Sequence, residues 1–154
     1  MKFQLNKFLI RLLIPLSVGA AAGLISSPSL EGVNMPPLSP PAIVFPLVWI
    51  LLYTLMGISS YLLLGCDASY DDKKHALTLY GTQLAVNFFW PILFFNFRLY
   101  LLSFLWILLL WALVFLTVVR FFSLCRPAGI LLVPYLLWVT FAAYLNLAIF
   151  LLNR

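Results

Sequence analysis

The apolar residues of this chain fall into five long runs separated by short polar connections, and the runs lack the period-two alternation of a transmembrane barrel strand. The first run extends from about Phe8 to Ile25 and is closed by Ser26 and Pro28. The others cover about Ala42 to Gly65, His75 to Phe95, Leu99 to Phe122 and Pro127 to Leu152. Each is long enough to cross a bilayer, which takes about 20 apolar residues in a helix. Open sheets are excluded at that depth because their edges would leave backbone groups unpaired. The pattern therefore predicts an all-α integral membrane protein, a single five-helix transmembrane bundle over residues 1–154 with a proline-rich loop between helices 1 and 2.

The first run has a second reading. Lys2, Lys7 and Arg11 ahead of an apolar stretch with Ala20-Ala21-Ala22 also fit a secretory signal with a small-residue cleavage site. The spanning reading is preferred, since the run is long enough to cross and no soluble domain follows it. Gly19 and Gly23, four residues apart, are read as ordinary small-residue packing within one bundle.

Five of the ten prolines, Pro28, Pro36, Pro37, Pro40 and Pro41, lie in the first connection with Glu31, Gly32 and Asn34. Proline fixes φ and removes a donor, so this segment is expected to be a shaped cover. The second connection, Cys66 to Lys74, is polar, the third is centred on Asn96, Phe97 and Arg98, and the fourth holds Ser123, Cys125, Arg126 and Pro127. Pro15, Pro46, Pro91 and Pro134 fall inside spans, where each frees a carbonyl and can bend its helix.

Composition sharpens the picture. With 154 residues, 65% hydrophobic and 8% charged, the chain has no soluble core able to hide its apolar surface and no room for a sizeable extramembrane domain. The net charge of +5 reads as membrane orientation, because the basic residues lie at helix ends. Five spans put Lys2, Lys7, Arg11, Lys73, Lys74, Arg120 and Arg126 on one side and Arg98 and Arg154 on the other. The amino terminus is thus expected in the cytoplasm and the proline-rich loop outside, in a bacterial plasma membrane. No basic and aromatic strip suggests nucleic-acid binding. Cys66 and Cys125 belong to no CxxC pair and His75 is the only histidine, so neither a metal site nor a disulfide framework is expected, and both cysteines, on the cytoplasmic side, are expected as reduced thiols.

In the third span Tyr80, Gln83, Asn87, Trp90 and Phe94 are spaced by three and four and share a helix face that is polar at its middle. Amides are costly toward lipid, so this face should point into the bundle, either bonding helix to helix or lining a cavity. Phe45, Trp49, Tyr53 and Met56 share a face of the second span, and Tyr135, Trp138, Ala142 and Asn146 one of the fifth. Together they could form an aromatic pocket with a few polar groups, suited to a flat apolar ligand. Trp49 and Trp138 also fit interfacial belts. Trp106 and Trp111 lack polar company and read as packing or lipid-facing residues. All four acidic residues, Glu31, Asp67, Asp71 and Asp72, lie outside the spans, which argues against a hydrolase or an ion-coupled pump.

The ordered segments Pro40-Pro41 with VFPLVWILLYTLMG, then ALTLYGTQLAVNFFWPILFF, then PYLLWVTFAAYLN resemble the translocator protein family, also called tryptophan-rich sensory proteins or peripheral benzodiazepine receptors, over nearly the whole chain. The resemblance implies a five-helix bundle, often a homodimer, with an interhelical pocket covered by the first loop and no resident cofactor. Its ligands would be porphyrins such as protoporphyrin IX, isoquinoline-type drugs and, in animal members, sterols. Carried over by motif, Trp49, Asn87 and Trp138 resemble pocket residues, and Tyr53, Gln83, Trp90, Phe94, Tyr135, Phe141, Ala142 and Asn146 resemble flanking positions. The implied role is a receptor or sensor in tetrapyrrole transport or stress control. The alternatives are a true transporter, or a light- and oxygen-dependent degrader of porphyrin acting through Trp49 and Trp138. Two departures stand out. Leu38 occupies the position where many members have tryptophan, and Tyr144 has no basic residue close behind it, as a sterol-linked motif would need.

Overall fold

In the computed structural model, which describes residues 4–26 and 29–154, five helices follow one another: α1 (Leu5–Ile25), α2 (Val44–Gly65), α3 (Tyr70–Pro91), α4 (Tyr100–Leu124) and α5 (Arg126–Leu152). Lys2 and Pro28 lie outside the described residues. Four helices are long and apolar enough to cross a membrane by themselves; α3 is the exception. Its buried face carries Gln83 and Asn87 and its first turns are charged, so it depends on its neighbours to cross. The helices are arranged in the order α1, α2, α5, α4, α3, with α3 returning to α1. α2 and α3 scarcely touch through their backbones, and long side chains from both fill the middle of the ring.

The close seam between α1 and α2 is made by missing side chains. A Cβ on Gly57 would stand 2.7 Å from Leu12 Cα, and one on Gly19 would collide with the Tyr53 ring. Near the start of α1, the Gln4 N–H donates to the Tyr61 hydroxyl at 3.0 Å and Phe8 meets the Tyr61 ring edge-on at 5.3 Å. Gly23 has open space beside it, so the Gly19/Gly23 pair works through Gly19 alone.

α3 begins earlier than the polarity of Cys66 to Lys74 suggests. Ser69 caps it: the Ser69 hydroxyl accepts from the Asp72 N–H at 3.1 Å and donates to the Asp72 carboxylate at 2.7 Å, a variant of the capping box. Asp71 and Asp72 also favour the positive end of the helix dipole. The Ser69 hydroxyl, helped by Arg120, holds the Asp72 carboxyl below the usual carboxylate range despite the opposing effect of desolvation. At the other end Pro91 removes an N–H and the chain continues as a π-turn over Ile92–Asn96, with the Phe97 N–H reaching Ile92 O at 3.2 Å. Arg98, at φ 51°, then turns the chain into α4.

Contacts at the two ends of the bundle fit five alternating helices. At one end Asn96 Nδ2 donates to Ile25 O at 3.0 Å, and the first loop is pinned to the end of α5, the Asn34 N–H donating to Asn153 Oδ1 at 2.8 Å and Asn153 Nδ2 donating back to Asn34 O at 3.0 Å. At the other end Arg120 pairs with Asp72, and a disulfide joins Cys66 to Cys125. That bond corrects the expectation of two reduced thiols. The residue after α2 and the residue between α4 and α5 meet with their Cα atoms 5.7 Å apart, although 59 positions separate them in the chain.

Candidate functional site

The middle of the ring is a hydrogen-bonded polar cluster enclosed in aromatic rings. Asn87, on the inward face of α3, donates through Nδ2 to the Tyr53 hydroxyl of α2 at 3.3 Å and to the Tyr135 hydroxyl of α5 at 3.1 Å. The Tyr135 hydroxyl in turn donates to Gln83 Oε1 at 2.7 Å, one turn along α3. Tyr53, Gln83, Asn87 and Tyr135 are all buried. One amide on a three-to-four spacing thus links three helices, which is how an amide is satisfied where no water competes. Gln83 Nε2 is left buried with no partner.

Aromatic rings cover this cluster. Trp49 stacks on Tyr53 at 5.5 Å and meets Tyr135 edge-on at 6.3 Å. Trp138, from α5, contacts Phe45 at 6.0 Å and Phe141 at 5.5 Å, and its indole Nε1 is buried without a partner. An indole N–H is a donor only, so this group can be satisfied only by an acceptor. Both tryptophans are half-buried and packed against other aromatic rings.

A second group lies nearer the π-turn. Trp90 Nε1 donates to Asn146 Oδ1 at 3.1 Å, Asn146 Nδ2 donates to Tyr100 O at 2.8 Å, and Phe94 stacks on Trp90 at 5.2 Å. These bonds join α3, α4 and α5. Trp90, Phe94, Ala142 and Asn146 are buried, so ten of the eleven residues singled out in the sequence are buried or packed against the core, divided between an aromatic middle and this tighter group, while Phe141 lies partly exposed between Trp138 and the exposed Tyr144.

Trp106 and Trp111 differ from the reading that left them without polar company. Trp106 Nε1 donates to Val86 O at 2.8 Å, and Trp111 Nε1 donates to the Thr140 hydroxyl at 2.7 Å. The first holds α4 to the residue before Asn87, so Trp106 supports the polar cluster from behind. A backbone carbonyl as partner leaves no trace in the sequence.

The first loop bears on the site from above. Phe45, at the start of α2, reaches Trp138, which lies fourteen residues before the end of α5 at Leu152. Counted from the Cys66–Cys125 bond at the opposite end, α2 runs 22 residues and α5 27, so at the rise of an α-helix α2 begins roughly 8 Å below the level at which α5 ends. The loop descends across this step from Asn34, level with Asn153, to Val44, with Pro36 buried on the way, while Leu30 and Val33, ahead of Asn34, pack against the core.

The sequence model of the TspO/MBR family matches residues 11–152. The tryptophan-rich protein TspO of Chlorobaculum tepidum is 38% identical over 118 residues, 77% of this chain and 75% of that protein. The TspO protein of Archaeoglobus fulgidus is 36% identical over 151 residues, 96% of this chain and 97% of its own. The translocator protein of Ovis aries is 38% identical over 112 residues, 72% and 66% of the two chains.

Proposed function

Since the chain belongs to the TspO/MBR family and is an integral membrane protein, we propose that it is a membrane receptor or sensor for a flat, largely apolar molecule of the tetrapyrrole type, such as protoporphyrin IX. Isoquinoline and sterol-like molecules would be further ligands, and the role would be tetrapyrrole transport or stress regulation. The observation that carries this reading is the aromatic middle of the ring, where Trp49 packs on Tyr53 and Tyr135 and where two buried donors, Trp138 Nε1 and Gln83 Nε2, have no partner. A porphyrin offers a face for stacking and carboxylates that accept hydrogen bonds. The name of the Ovis aries relative, a translocator protein, points the same way. A cytoplasmic amino terminus, a bacterial plasma membrane and a second copy as partner belong to the same proposal; the bias of basic residues toward one end supports the orientation.

The test is protoporphyrin binding by the full chain in mild detergent, followed by quenching of tryptophan fluorescence. Trp49→Ala, Asn87→Ala and Trp138→Ala should each weaken binding by about 1 to 3 kcal/mol. Leu108→Ala, on the exposed face of α4, should leave it unchanged. Equal losses in all four variants, or none in the first three, reject the site.

The stacked Trp49 and Tyr53 rings favour one second reading, photochemical breakdown of the bound porphyrin. Porphyrin absorbance should then stay constant in the dark, bleach under light and oxygen, and bleach more slowly in the Trp49→Phe, Trp138→Phe double variant. Consumption in the dark would reject both readings.

A further inference from the structure

The end of the bundle that carries the disulfide also holds a cavity of about 610 Å³, away from the aromatic middle. Three cations line it: Lys7 and Arg11, one turn apart on α1, and Lys73 from the first turns of α3. Its remaining wall is apolar or aromatic, from Ile10, Leu64 and Tyr70. The volume falls within the usual range for small-molecule sites.

Among the described residues these charges have no ion-pair partner: the one ion pair is Arg120 with Asp72, and no carboxylate lines the cavity. Lys73 spends one of its three donors on Leu64 O, at 3.1 Å, where it caps the end of α2. Arg11 is half-buried and lies six residues into α1, about 9 Å from the first residue at helical rise. A 21-residue helix roughly matches the hydrocarbon thickness, so this guanidinium is at or just below the polar boundary of the bilayer. A cation at that depth needs an anion or a route to water.

From these observations we infer that the cavity is a binding site for one anionic phospholipid, its phosphate held by Lys7, Arg11 and Lys73 and its glycerol and upper chains lying against Ile10, Leu64 and Tyr70. Phosphate matches a guanidinium through paired, charge-assisted hydrogen bonds, and two ammonium groups add point charges on either side. A free anion would satisfy the cations and leave the exposed apolar wall, Ile10 and Tyr70, uncovered. A lipid covers both. The assignment does not depend on which way the chain faces, since anionic lipid on either side would reach this end.

Native mass spectrometry of the full chain tests it, with dioleoyl phosphatidylglycerol, dioleoyl phosphatidylcholine or inorganic phosphate added separately. Phosphatidylglycerol should be retained in preference to phosphatidylcholine, with affinity falling about fivefold for each cation removed in Arg11→Gln and Lys73→Gln. Lys7→Gln, at an exposed position that the fold does not need, should show the same loss and keeps the test decisive if the half-buried variants fold poorly. Arg154→Gln, at the other end, should change nothing. Equal retention of the two lipids, or phosphatidylglycerol binding indifferent to all three substitutions, overturns the proposal. So does displacement of the lipid by inorganic phosphate, which would show a site for a free anion.

Discussion

Asn34 and Asn153 hold one another as two strands of a sheet would: the backbone of the first loop donates to the side chain that ends α5 and accepts from that same side chain, over 119 positions of sequence. Asn34 Nδ2 also lies 3.5 Å from Leu152 O. One residue therefore fixes the highest point of the cover.

Asn153→Leu removes both bonds and should loosen the loop, lowering hydrogen-exchange protection at the Asn34 amide by about tenfold, the equivalent of one or two modest hydrogen bonds. Asn153→Asp can still accept from Asn34 but not donate back, so its loss should be smaller. Equal protection in all three proteins would show that packing of Leu30, Val33 and Pro36 fixes the loop without the asparagines.

Asn87 is the second point of leverage, since it donates to tyrosines of two other helices. Interhelical bonds in membranes average about 0.6 kcal/mol and reach about 1.7, so Asn87→Leu should cost roughly 1 to 3 kcal/mol of stability. In a double-mutant cycle with Tyr135→Phe the losses should fall short of additive. Trp106→Phe, which keeps the ring against Phe89 but removes the bond to Val86 O, should also destabilise the protein, by a smaller amount. Additive losses for Asn87 and Tyr135 would mean that the amide and the hydroxyl do not act together.

The joined cysteines give a third prediction. Denatured without reductant, the chain should take up no maleimide at Cys66 or Cys125, and two equivalents after reduction. Label taken up before reduction would return the pair to free thiols. Orientation should accordingly be read from a cysteine introduced at Asn34 in a Cys66→Ser, Cys125→Ser background, with the proposed topology requiring label from outside the cell.

The helix interiors were legible in the sequence because lipid demands long apolar runs, and the inward faces were legible because Gln83 and Asn87 could not face lipid. Helix ends were harder. The first turn of α3 is so charged that it reads as a connection, and only the Ser69 to Asp72 spacing hints at a cap. Pro91 announced a disturbance without saying that it would be resolved as a π-turn. Partners distant in sequence were hidden altogether: Cys66 with Cys125, Asn34 with Asn153, and Trp106 with a carbonyl depend on which helix ends meet. Whether these residues act on a ligand is likewise decided by binding, since a face that packs and a face that recognises look alike in a string of letters.

The step between α2 and α5 leaves non-helical backbone just above the start of α2, a 22-residue helix about as long as the hydrocarbon core is thick, and so near the boundary where water thins out. Every peptide N–H there must find an acceptor, at a cost of several kcal/mol for each one that does not. Four described residues of the descent, Pro36, Pro37, Pro40 and Pro41, carry no N–H at all, and the Ser39 N–H donates to Pro36 O at 3.1 Å. The prolines thus lower the number of hydrogens in need of acceptors as well as stiffening the cover. A version of this segment rebuilt from alanine would have the same length and much of the same bulk, yet it would bring four more donors to that boundary, each in need of an acceptor.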